Sequence, residues 1–384
     1  MALVAVVAVV AAAAFVVARS RKDDSDRAER GPSTDADEGW TSEPFRNSLH
    51  LAVGGGMVCS TTVRNLVYCL DAATGDERFS VQMDPAAVVT PPVLLDDRLL
   101  VAISGVDGQL FAYSFEGEEL WKASLETTLM DDLPVAGGVV AVVQREELIG
   151  IDVSNGQERW RVYPSDDFEG PHPAGSTVFT DGSRFYAAIR LSDILSGDTF
   201  GHVVAVDPAS GDELWRSPVL GEVGWSGPEA AAPFADDSAV AFMMRGISGS
   251  SRPMVVLDAA TGQPRWEARI TSDYASIVHL DGSTIVADGT DMRAYDRDGE
   301  RSWSVRSPVL ARSPDLLSPG ILTVEEGRLF VAGHDVYEVD PATGASDQIG
   351  EDGVDAKDVA IADDRLLIAG LMELEALPLS SIGD

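Results

Sequence analysis

The residues of this chain that could do chemistry are few and scattered. Its two cysteines, Cys59 and Cys69, are not adjacent, and its five histidines, His50, His172, His202, His279 and His334, show no metal-ligand spacing. Gly54-Gly55-Gly56 opens no phosphate-binding helix. The run from Gly246 to Ser251 lies between strand-like segments rather than on a strand-turn-helix elbow. Adjacent acids such as Asp166-Asp167 and Asp236-Asp237 suit turn solvation, and a calcium site built from them would need a ligand spacing they lack.

What recurs is a turn. Aligned on its glycine, the motif appears as Asp71 to Phe79, Tyr113 to Trp121, Asp152 to Trp160, Asp207 to Trp215, Asp258 to Trp266, Tyr295 to Trp303 and Asp340 to Gln348. The glycines, from Gly75 to Gly344, are about 45 residues apart on average. Runs that alternate apolar and polar residues flank each copy, as in Val203 to Asp207, so each copy reads as the turn of a β-hairpin. The aspartate accepts hydrogen bonds from turn amides and the glycine takes the positive φ that closes the turn, which makes these acids structural. The aromatic residue four positions after the glycine buries roughly 150–250 Å² between neighbouring sheets.

The pattern A-x-D-x-x-T/S-G-x-x-x-W, clearest in Val204 to Trp215 and Val255 to Trp266, resembles the pyrroloquinoline-quinone-like (PQQ-like) propeller repeat. The resemblance covers roughly residues 40 to 384. It implies an all-β propeller and either of two functions, since the family includes quinoprotein dehydrogenases and non-enzymatic envelope scaffolds. Arg365 to Ser380 repeats the inner two strands of a further unit and stops before its last strand. Gly39 to Phe45, with Trp40, could supply that strand. The expected fold is therefore an eight-bladed PQQ-like β-propeller over 39–384, closed by pairing of both termini, with seven blades as the alternative.

The remaining segments suggest how such a module is held. Ala2 to Ala18 is an unbroken apolar run followed by Arg19, Arg21 and Lys22, so 1–22 reads as a transmembrane helix or a signal segment. Residues 23–38 are charged and small, as in a disordered acidic linker. The basic flank argues for a cytoplasmic bulk by the positive-inside rule. Cys59 and Cys69 argue the other way if they pair. They fall on neighbouring strands of one hairpin, roughly 4.5–5.5 Å apart at Cα, a distance that suits a disulfide or two buried thiols. A disulfide requires an oxidising compartment, and the expected location is single-pass in the cell membrane with the propeller outside the cytoplasm. The net charge of −35 excludes nucleic acid as a partner.

Insertions are clustered. The long connections Ser165 to Ala174, Ser192 to Gly201, Gly221 to Ala230 and Gly246 to Pro253 belong to consecutive units and open on one face, as Ser307 to Pro319 does further round. Phe168, His172, Asp193, Phe200, Trp225, Glu229 and Arg245 are the candidate partner-binding residues, with rings as anchors and polar groups setting specificity. The enzyme branch implies a quinone and calcium over the axis, with a vicinal cysteine pair against the quinone. This chain has no adjacent cysteines and no transferable calcium constellation. The expected function is a membrane-tethered, non-catalytic propeller without cofactor that binds a protein or cell-envelope component. The alternative is a quinone-dependent dehydrogenase-like or sugar-handling enzyme.

Overall fold

The computed structural model describes residues 39–42, 51–62, 65–83, 88–104, 107–125, 133–144, 147–163, 173–192, 199–218, 234–243, 252–271, 275–288, 290–309, 321–350, 355–356, 358–370 and 373–382. They form eight antiparallel sheets, each built from consecutive strands except the last. We letter the strands of each blade A to D from axis to rim. The motif glycines hold φ between +68° and +81° in the turns between C and D, as a tight hairpin turn demands.

Blade 8 takes strand A from Asp358–Ala362, B from Arg365–Ala369, C from Leu374–Pro378 and D from Trp40–Ser42. Trp40 pairs with Ala376 and Ser42 with Leu374. The sequence reading made Arg365 to Ser380 the inner two strands of this unit. They are the middle two, because Asp358–Ala362 lies inside them with no turn motif to betray it. Blade 2 departs differently: its inner strand is split into Val88–Val89 and Val93–Leu94 around Pro91-Pro92, which have no N–H for the ladder.

The core lies between blades, because alternate residues of each strand face opposite neighbours. In strand B of blade 3, Val139 and Ala141 join the cluster shared with blade 4, while Val140 and Val142 join the one shared with blade 2. Among the described residues no helix is long and apolar enough to cross a membrane. The apolar run from Ala2 to Ala18 and the linker that follows lie outside them.

Candidate functional site

Each aspartate of the repeat is committed to its own turn. Asp258 Oδ1 accepts hydrogen bonds from the Ala260 and Thr261 amides, and Oδ2 meets Arg265 at 2.6 Å. The Arg265 hydrogen bond holds the Asp258 carboxyl below its usual range against the opposing effect of partial burial, and Thr261 adds to it. Asp71 with Arg78 and Asp152 with Arg159 repeat the arrangement.

The face opposite these turns carries the B-to-C and D-to-A connections, and blade 4 dominates it. Its strands A, B and C, Pro173–Thr180, Phe185–Ser192 and Thr199–Val206, have 8 residues each. Strand B has 5 residues in blade 1 and 6 in blade 3. Strand B begins at the A-to-B turn, so its surplus of two residues over strand B of blade 3 lifts blade 4 roughly 7 Å past that neighbour on the loop face. The expected connection Ser192 to Gly201 is thus shorter than the sequence suggested. Ser192 pairs with Thr199 and Leu191 with Phe200, so Phe200 stands on the raised strand rather than in a loop. Phe168, His172, Asp193, Trp225, Glu229 and Arg245 lie outside the described residues, in connections leaving blades 3, 4 and 5 on this face.

Beneath the raised strands the face is pinned by polar groups that sequence reasoning did not single out. His202, 5% exposed, directs Nδ1 to the Ser217 carbonyl at 3.0 Å, and the Ser217 hydroxyl accepts the Val203 amide. Burial pushes the His202 pKa down, partly opposed by its hydrogen bond to Ser217. Asp288, 1% exposed, closes the corner of blade 6 by accepting from the Thr271 amide and hydroxyl of blade 5, with Arg293 at 3.2 Å. In blade 7, His334 Nδ1 lies 2.8 Å from Asp355. A histidine or acid at a strand end gives no pattern that separates such corner clasps from ordinary surface residues.

Cys59 and Cys69 are direct cross-strand partners joined by a disulfide, and both are fully buried in the core between blades 1 and 2. The hydrogen bond from the Thr62 amide to the Leu66 carbonyl fixes the ladder phase, which makes 59/69 a narrow, non-hydrogen-bonded pair. This bond is sealed within one hairpin and does not fit a vicinal disulfide laid against a quinone, so no step through that cofactor follows. Among the described residues no three His, Cys, Asp or Glu side chains converge on a metal-sized site.

With this geometry established, comparisons identify relatives. A family model described as outer membrane protein assembly factor BamB matches residues 30–116, 106–190 and 199–360. The chain is 27% identical over 324 residues to the outer membrane protein assembly factor BamB of Burkholderia pseudomallei (strain K96243), which spans 79% of this chain and 76% of that protein. BamB from Moraxella catarrhalis shares the fold with a TM-score of 0.59 at 15% identity, covering 88% of this chain and 98% of that one. The quinohemoprotein alcohol dehydrogenase of Comamonas testosteroni does so at 0.57 and 15%, over 86% of this chain and 71% of the enzyme.

Proposed function

The chain belongs to the PQQ-like propeller repeat family, and from that premise we propose that it is a non-catalytic propeller, tethered to a membrane, that binds a protein of the cell envelope through its loop-rich face. The observation that carries this reading is the raised blade 4, whose strands B and C extend beyond strand B of blade 3 on the loop face and carry Phe200. Repeat folds concentrate recognition in loops of one face because the strands below hold them rigidly. The names of its relatives supply the class of partner, a component of outer-membrane protein assembly.

The way the chain enters the propeller sets which face such a tether would leave open. Strand D of blade 8 runs from Trp40, opposite Ala376, to Ser42, opposite Leu374, and strand C there runs from loop face to turn face. The chain therefore arrives on the turn face. A membrane anchor ahead of residue 39 would leave the loop face pointing away, open to a partner.

Photo-crosslinking tests this in cells. A benzophenone side chain placed at Phe168, Phe200 or Trp225 should trap an envelope protein, and one at Gln157 or Asp298 on the turn face should trap none. Capture only from the turn face would overturn the reading. Saturable binding of pyrroloquinoline quinone with calcium, accompanied by dye-linked oxidation of an alcohol or sugar, would replace it with the dehydrogenase-like alternative.

A further inference from the structure

Both halves of the Cys59–Cys69 disulfide are enclosed. Each cysteine is 0% exposed, in the cluster that packs blade 1 against blade 2. Met57, Val67 and Phe79 of that cluster come from blade 1. Leu99, Val101, Phe111 and Tyr113 come from strands B and C of blade 2, Leu99–Ser104 and Gln109–Tyr113. The Tyr113 hydroxyl donates to the Met83 sulfur at 3.9 Å across the same junction.

We propose that this bond is made before blade 2 docks on blade 1, by an external disulfide that exchanges with the two thiols while their hairpin is still uncovered. The finished propeller neither gains the bond nor loses it. The chain is thus the substrate of a disulfide-bearing oxidant that acts on the unfinished fold, whatever the loop-rich face binds afterwards.

The chemistry sets the demand for access. One cysteine thiolate attacks a sulfur of the external disulfide, breaks that S–S bond and expels the first thiolate. The second cysteine thiolate attacks the cysteine sulfur of the mixed disulfide, forms Cys59–Cys69 and expels the other thiolate. Two electrons pass from the cysteines to the oxidant, and the two thiol protons end on its two sulfurs. Each displacement needs three sulfurs in line, and the intermediate carries the oxidant's bulk on a cysteine. A junction that leaves both cysteines without exposed surface has room for neither.

Topology supplies the interval. Cys59 and Cys69 are 10 residues apart and directly opposite each other on strands B and C of one hairpin. Pairing of Met57–Thr61 with Leu66–Asp71 brings them together without any other blade. So short a loop closes at small entropic cost, whereas the cover must wait for the longer-range docking of blade 2. Between the two events the sulfurs are adjacent and open to solvent. Once Trp40–Ser42 pairs with Leu374–Pro378 and shuts the ring, blade 2 cannot swing off blade 1 unless a second junction parts.

The test uses the intact chain. In native buffer with excess dithiothreitol, the parent should lose the bond at least about 100-fold more slowly than in concentrated guanidinium chloride, read by mass after alkylation. The chain is also reduced in denaturant, refolded under reductant, freed of it and given oxidised glutathione. It should then react at least about 100-fold more slowly than an exposed thiol, measured on Ala260→Cys in a chain whose own cysteines are alanine. Denaturing the refolded dithiol should restore the reaction. Refolding that succeeds only when the oxidant is present from the start would support the proposal equally, since the bond would again come first. Reduction of the native parent, or oxidation of the refolded dithiol, at the rate of an exposed thiol would overturn it, because the docked junction would admit the reagent. A chain that forms no bond even when oxidised during refolding would overturn it too.

Discussion

Seven of the eight blade junctions are built alike, and the junction from blade 7 to blade 8 is not. At the seven, a ring from strand D stands on the glycine of the next blade's turn: Phe79 on Gly117, Trp121 on Gly156, Trp160 on Gly211, Trp215 on Gly262, Trp266 on Gly299, Trp303 on Gly344 and Trp40 on Gly75. Five of the indoles also donate to a carbonyl of that turn, at Ala72, Val153, Pro208, Ala259 and Pro341. At the eighth, Gln348 stands at the ring position. Strand D of blade 8 comes from the start of the chain, so that blade has no C-to-D turn and no glycine for a ring to cover. Phe330, Ile349, Val359, Ile361 and Ile368 close this seam by apolar contact, without a ring docked on a turn glycine. Ring and glycine work only as a pair, and topology removed one of them.

The largest effect should come from breaking a ring. Trp160 is 8% exposed and bonds to the Pro208 carbonyl at 2.8 Å. Trp160→Ala should cost about 3–5 kcal/mol in urea unfolding, while Gln348→Ala at the seam should cost less than about 1 kcal/mol. Equal losses would show that the rings are not what distinguishes the junctions.

The two sides of blade 8 offer the next contrast. On its blade 1 side Trp40 docks on Gly75, and the Cys59–Cys69 bond stiffens the sheet behind it; the seam side has neither. Replacing both cysteines with alanine should lower stability by about 2–3 kcal/mol, the order expected for a loop this short. Thiol labelling should find no reactive cysteine in the parent protein before reduction. Labelling without reductant after denaturation would mean that the pair is free, and the contrast between the two sides would shrink to the ring.

A glycine pair isolates the ring contact from backbone strain. Gly211 and Gly350 have φ of +79° and +75°, so alanine meets the same left-handed penalty at each. A Cβ at Gly211 would stand 2.8 Å from the Trp160 ring, whereas at Gly350 it would reach Leu377 at an ordinary 3.4 Å. Gly211→Ala should cost about 2–3 kcal/mol and Gly350→Ala about 1 kcal/mol, measured by thermal unfolding.

These junctions were legible in the sequence because Asp258-Ala-Ala-Thr-Gly-Gln-Pro-Arg-Trp266 and its copies encode turn and ring together, and Trp40 announced the strand that completes blade 8. What stayed hidden has no local signature. Asp358–Ala362 lacks the motif, so the inner strand of blade 8 was missed. The extra length of blade 4 was read as loop, since Ser192 and Thr199 to Gly201 are small or polar residues that strand pairing alone recruits.

The smallest effect is a difference in pH response between the two kinds of junction. Between blades 5 and 6, His279 stacks on Phe234 with ring centroids 5.4 Å apart and Nε2 3.5 Å from Asp236. Burial pushes its pKa down; Asp236 and Asp237 pull it up, while Arg265 and Arg297 push it further down. The unfolded chain then takes up a proton that the native state resists, so native stability falls as pH drops through the ordinary histidine value near 6.5. At the seam the sign reverses. Glu325 is pushed up to about 7 by burial, against a hydrogen bond from the Ile361 amide, with Asp358 and Glu326 raising it further. The native state keeps this proton where the unfolded chain has released it, so its contribution is complete below about pH 4.5 and is lost as pH rises through about 7. Glu325→Gln should therefore match the parent near pH 4.5 and exceed it at pH 8 by about 1 kcal/mol, after allowance for solvent screening. His279→Gln should narrow the loss between pH 7 and pH 5 by a similar amount, about 1 kcal/mol. If chemical denaturation across this range moved both variants in the same direction, burial at the seam and burial against Phe234 would be the same environment, and the distinction between the junctions would rest on packing alone.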